Sequence, residues 1–295
     1  MTLPAVTGDA AVRARAVPFW RRRPGMGLVG GVVVGAFAVL AALGGTLAPY
    51  RPSAITGATL QAPGTGHLLG TNGIGQDVAT QLILGTRVSL VVAVLAGVGT
   101  VALGGIVGIG AGWSRGWVDA VLMRFTDVVL VLPKLPLLLL VGALTGGSVV
   151  ALAGLIAATF WPMTARILRS QVLTLRSRTH IRAATGFGAG SWYQLRHHIL
   201  PDLGLLLIAD LIPAAGRAVA LQAGLAFLGV GNPAQPSWGA MMRDALNYPY
   251  LFETSAWLWW LVPPVLCIMA LVIGVTLLGT AAETRVSPRL ARHQR

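Results

Sequence analysis

"GLVGGVVVGAFAVLAALGGTLA", residues 27–48, contains no charged residue. As a helix it reaches roughly 33 Å at 1.5 Å per residue, enough to cross the hydrocarbon core of a bilayer. Arg21, Arg22 and Arg23 stand just before it. A secretory signal has the same order of charge, but its apolar core is only about 7–15 residues long. The run therefore reads as a retained first span. Five further apolar runs follow, at about Ser89–Ala111, Val128–Gly146, Ser148–Ala165, Gly204–Ala226 and Trp257–Gly279. They are long and continuous, whereas a membrane barrel needs short alternating segments. The pattern predicts an all-α integral membrane protein with six transmembrane helices. Frequent glycine and alanine let such helices approach closely.

Composition supports this class. Of 295 residues, 55% are hydrophobic and 11% charged, with mean hydropathy +0.74; a soluble domain carries about 25% charged residues. The net charge of +13 would suit nucleic acid on a soluble fold, but here the arginines flank apolar runs, which sets topology instead. With the amino terminus inside, the inner segments 1–26, 112–127, 166–203 and 280–295 hold seventeen arginines. The outer segments hold three: Arg51, Arg87 and Arg243. This is the positive-inside pattern, and it predicts that both termini are cytoplasmic. The expected organisation is a cytoplasmic tail at 1–26, a first span at 27–48 and an external segment at 49–88. A five-helix core follows at 89–279, with a cytoplasmic loop at 166–203, and then a tail at 280–295.

That loop contains "RAATGFGAGSWYQLRHHILP", residues 182–201, basic and jointed by glycines. Thr179 is placed to cap a short helix through Thr185 that stops at Gly186 and Gly188. Ser191 and Gln194 have capping-box spacing for a second helix to Ile199, with Pro201 starting the return to the membrane. Helices this short are marginal alone in water. They need a surface to dock against, either a cleft in a cytoplasmic partner or lipid headgroups. Upstream, Trp117–Asp127 is amphipathic, with Val118, Val121, Leu122 and Phe125 opposite Asp119, Arg124 and Asp127. Pro133 and Pro136 should kink or break the helix that follows.

Chemistry-bearing residues are few. No phosphate loop of the GxxxxGK[ST] type is present, and the only lysine is Lys134. The single cysteine, Cys267, lies in an apolar run and reads as a packing residue; no metal-ligand spacing stands out. His67 reads as an external turn residue, and His197 and His198 as polar faces of the second short helix. Asp210 and Arg217 lie seven residues apart in the fifth span, and each costs about 2.5–3.5 kcal/mol at a helix centre. They line a watery path or form a structural pair.

The spacing Ala183-Ala184, Gly188, Ile199-Leu200-Pro201 resembles the coupling ("EAA") motif of ABC-importer permeases. Further blocks are similar to the second ("C") permease subunit of the dipeptide/oligopeptide/nickel family. They are "HLLGTNGIGQDVATQLILGTRVSL" (67–90), "GWVDAVLMRFTDVVLVLP" (116–133), "GLAFLGVGNPAQPSWG" (224–239) and "LLGTAAETRVSPR" (277–289). The resemblance implies a type I ABC importer-like fold in a bacterial inner (plasma) membrane. It implies ATPase coupling through Arg182, Ala183, Ala184, Gly188, Ile199, Leu200 and Pro201. Asp210, Arg217 and Gln222 are expected on the translocation path, and Pro236, Ser237 and Trp238 at the landing surface for an external binding protein. The expected partners are a homologous second permease, two ATP-binding subunits, that binding protein and the lipid bilayer, with no nucleic acid. ATP and Mg would be bound by the ATPases, and no cofactor by this non-catalytic chain. The cargo class is peptide, nickel or haem. The sequence departs from the family pattern where Arg182 and Gln222 replace glutamates, and where Thr280, Thr284 and Ser287 replace acidic residues near the end. The competing reading is a proton-coupled secondary transporter using Asp210, Arg217 and Lys134.

Overall fold

The computed structural model describes residues 24–291 apart from Arg115; for Pro24, His180, Arg182, Thr185 and residues 283–291 it describes the backbone alone. The helices are α1 (Pro24–Leu47), α2 (Val78–Ser114), α3 (Gly116–Val131), α4 (Lys134–Leu144), α5 (Val149–Arg176) and α6 (Thr179–Gly186). They continue with α7 (Ser191–Gln194), α8 (Leu200–Phe227), α9 (Trp238–Leu246), α10 (Trp257–Trp260) and α11 (Val262–Ala291). No strand forms among the described residues, only two isolated bridges, Ile55 to Gln76 and Thr71 to Asp77. Five helical rods are long and apolar enough to cross a membrane, and α3 with α4 makes a sixth, bent crossing. The fold is the expected all-α bundle. The arginine-rich loops cluster at one end, here the basic end; residues 49–77 and 228–256 lie at the far end.

One boundary differs from the sequence reading, and the proline break expected in the third span is found at one of its two candidates. The second span starts at Val78, so the segment expected over 49–88 ends eleven residues earlier. Asp77 explains this: its Oδ2 accepts the Thr80 N–H at 2.7 Å and caps the helix. The third span is not one rod. α3 and α4 meet at 83°, and the break falls at Leu132–Pro133. Pro136 breaks nothing, because it sits in the first turn of α4, where backbone N–H groups have no intrahelical acceptor anyway.

The bundle is held by close backbone approach. Gly104, Gly108 and Gly112 recur every four residues along α2 and face α5. A Cβ on Gly108 would overlap the Ala165 carbonyl, and one on Gly112 would sit 2.9 Å from Val172 Cβ. Gly30 of α1 meets Gly274 of α11 in the same way. In lipid, where apolar burial offers little drive between helices, this tight van der Waals seam is what joins them. A basic-end core of Leu168, Val172, Leu175, Ile181, Ile199 and Leu203 forms below it. A far-end core is built on Trp238, Met241, Leu251, Trp260 and Leu271.

Candidate functional site

At the basic end, Arg176 closes α5 onto α2. Its Nη1 donates to the carbonyls of Gly112, at 3.1 Å, and Trp113, and its guanidinium lies 4.4 Å over the Trp113 ring. From this anchor α6 and α7 project as a hairpin. α6 ends as expected at its glycines. Gly188 takes φ +82° and the Ala189 N–H returns to the Ala184 carbonyl at 3.0 Å, a Schellman closure. The capping box does not form: Gly190 is the N-cap, Ser191 is already helical, and Gln194 Nε2 turns back to the Ala189 carbonyl at 2.8 Å.

The second short helix reaches Ile199 as expected, but Pro201 does not start a separate one. Leu195–Ile199 form a π turn in which the Leu200 N–H reaches the Leu195 carbonyl. The wider turn absorbs the register where proline has no N–H to give, so residues 191–227 run as one helical rod. The hairpin has a buried base and an exposed tip. Ile181 and Ile199 are fully packed against α5 and α8, while Phe187, Trp192 and Tyr193 are 93%, 68% and 52% exposed. Of the expected coupling residues, Ala183, Gly188, Leu200 and Pro201 are exposed, Ala184 is half-buried and Ile199 is an anchor. The Arg182 side chain lies outside the described residues. Sequence reading overlooked the aromatic tip, although three aromatics within seven residues of a glycine-jointed loop were a visible signal.

Ion pairs hold α3 beside α5. Arg169 takes both oxygens of Asp119 at 2.5 and 2.6 Å, and Arg166 meets Asp127 at 2.5 Å. Deeper in the spans, Asp210 and Arg217 do not pair with each other. Asp210 Oδ2 accepts the Thr164 hydroxyl at 2.5 Å. Arg217 is exposed, with no hydrogen bond or ion pair to another described residue. Gln222 was expected on the path, but it is buried, and its Oε1 accepts the Ser89 hydroxyl at 3.2 Å. It borders a cleft of about 20 Å³ shared with Asn232, Gln235 and Ser237. Lys134 lies 4.6 Å over the Phe160 ring.

The far end reverses one expectation. Trp238 is 0% exposed: its indole N–H donates to the Leu82 carbonyl at 3.0 Å, and its ring meets Phe37 edge-on at 5.5 Å. Ser237 is also buried, its hydroxyl accepting the Ala240 N–H at 3.3 Å as the cap of α9. Only Pro236, half-buried, retains any surface. Burying Trp238 removes a large apolar area while its N–H keeps a partner. His67 opens a turn at the far end, where the Gly70 N–H reaches its carbonyl at 3.0 Å. It is buried with Nδ1 2.9 Å from Asp77 Oδ1. The surface left open there includes Ile55, Leu68, Ile74, Tyr250 and Phe252.

Residues 104–292, from the last third of α2 through α11, match the family described as binding-protein-dependent transport system inner membrane component. The chain belongs to this family. It is therefore a multi-pass permease subunit of an ABC transport system, with the type I importer fold, and it works with ATPase and binding-protein components. The permease is 33% identical over 243 residues to a protein of Brucella suis biovar 1 that carries a peptide permease name, covering 82% of this chain and 80% of that one. It is 29% identical to a glutathione transport system permease protein of Pectobacterium atrosepticum, over 98% of this chain and 96% of that one. A second Brucella suis protein, named for a peptide transport system, is 31% identical over 88% of the permease. The family assignment leaves nothing in favour of the proton-coupled alternative.

Proposed function

We propose that the permease is one of two related membrane subunits of a peptide importer, in the position of the second ("C") subunit. Its basic end faces the cytoplasm, together with both termini. The observation that carries this reading is the hairpin of α6 and α7, packed at its base and presenting Phe187, Trp192 and Tyr193 at its tip. Such a tip suits a groove on an ATPase, since buried aromatics dominate interface energetics. Two ATP-binding subunits would bind ATP and Mg, and this chain would bind no cofactor and catalyse no reaction. Motion of the hairpin passes directly into the fifth span, because the π turn joins them in one rod. The external binding protein lands on the far-end surface around Ile55, Leu68, Ile74, Tyr250 and Phe252, not on Trp238. Peptide as cargo rests on the names of the relatives.

The test uses the complete complex in vesicles, with the binding protein loaded with glutathione or with trialanine. Replacing Phe187 and Trp192 together by alanine should lower cargo-stimulated ATP hydrolysis and uptake at least tenfold while the bundle stays folded. Unchanged uptake in that variant would remove the coupling role.

A further inference from the structure

Two cations lie at the same depth in the spans. Arg217 is ten residues before Phe227, the far end of α8, which places its Cα roughly 15 Å below that end. Lys134 lies over Phe160, eleven residues after Val149, the far end of α5, or roughly 17 Å down. The bond between Asp210 and Thr164 checks this scale, since the same counting puts them at about 26 and 23 Å. Both cations are therefore near the middle of a hydrocarbon layer about 30 Å thick, too deep for a lipid phosphate.

Neither cation has a carboxylate partner among the described residues. Lys134 rests on an aromatic face at the 83° elbow between α3 and α4, and Arg217 is exposed. Phe160, beneath Lys134, packs on the cluster that contains Ala218, the residue after Arg217. Along α8 the next exposed positions beside Arg217 are Ala220 and Gly224, and no atom comes within 4 Å of a Cβ built on Gly224. Small side chains leave open room next to the guanidinium. An uncompensated charge at this depth costs about 2.5–3.5 kcal/mol on insertion scales, and such groups face a bundle interior or a water-filled path.

We propose that Arg217, assisted by Lys134, receives the carboxylate of the cargo in mid-passage and makes the permease selective for anionic peptide ends. A guanidinium offers a carboxylate two parallel hydrogen bonds, and Arg217 has both to give. The cations act at equal depth, so both can serve a carboxylate at the same level of its passage. This assignment rests on the reading of the cargo as peptide.

The experiment compares trialanine with its carboxyl-terminal amide, each delivered by the binding protein to the complete complex in vesicles. Arg217→Gln should lower trialanine uptake about tenfold and change uptake of the amide less than twofold. Arg217→Lys should recover only part of the loss, because it restores the charge without the two parallel hydrogen bonds, and Lys134→Gln should show a smaller loss with the same preference. Equal loss for both probes, or no loss for either, overturns the assignment. So does loss of the second permease from the purified Arg217→Gln complex, which would make Arg217 a subunit ion pair. If the wild-type complex carries neither probe, the peptide reading fails, and this assignment fails with it.

Discussion

The hairpin at the basic end and the cap at the far end are built from similar residues and end up opposite in character. Both are rich in glycine and aromatic side chains. In the hairpin, Ile181 and Ile199 are driven into the core, and Phe187, Trp192 and Tyr193 stand in the open. In the cap, Trp238 and Trp260 turn inward, while Tyr250 and Phe252 stay exposed. Trp238 donates to Leu82, Trp259 Nε1 donates to the Thr71 carbonyl at 3.3 Å, and Asn72 Oδ1 accepts the N–H groups of Ile74 and Gln76. The difference teaches where each part spends its apolar surface. The cap uses its tryptophans to close itself and leaves Tyr250 and Phe252 open at its edge, whereas the hairpin keeps Phe187, Trp192 and Tyr193 for another molecule.

The sharpest way to break this comparison is Trp238→Ala. Removing a fully buried indole from the cap should cost about 3–5 kcal/mol, read as a large drop in the melting temperature of the detergent-purified complex. A melt unchanged within error would show that the cap is not locked by its tryptophan. Asp77→Ala removes both the acceptor for His67 and the cap of α2, and should cost about 1–3 kcal/mol. Faster amide exchange over residues 67–80, with residues 179–199 unaffected, would locate that loss. In the hairpin, Gly188→Ala forces a side chain into left-handed backbone at a cost of about 1 kcal/mol, seen as local exchange around 184–190 without a shift of the global melt. The smallest stability effect belongs to Phe187→Ala with Trp192→Ala. It should fall within about 0.5 kcal/mol of wild type, although transport collapses. A destabilisation as large as that of Trp238→Ala would mean that the tip is part of the core after all.

Much of this was legible in the chain itself. The apolar runs, the arginine asymmetry and the glycine-jointed loop lead to a membrane bundle with a basic-end hairpin. The blocks at 67–90, 116–133, 224–239 and 277–289 lead to the permease family. The errors share one cause. A capping box at Ser191, a fresh helix start at Pro201 and a surface position for Trp238 were expected, and in each case packing chose otherwise. Gln194 found the Ala189 carbonyl, a π turn absorbed Pro201, and Trp238 found the Leu82 carbonyl, 156 residues away.

The amino-acid order alone determined which segments enter the membrane and which end is basic, because transfer into hydrocarbon depends on composition summed over about twenty residues. Only the tertiary structure decided which aromatics face inward, how sharply the third span bends at Pro133, and that Lys134 and Arg217 share a depth. Those outcomes depend on contacts between residues far apart in the chain. One glycine seam on α2, by setting how closely α5 approaches, governs positions that no local pattern encodes.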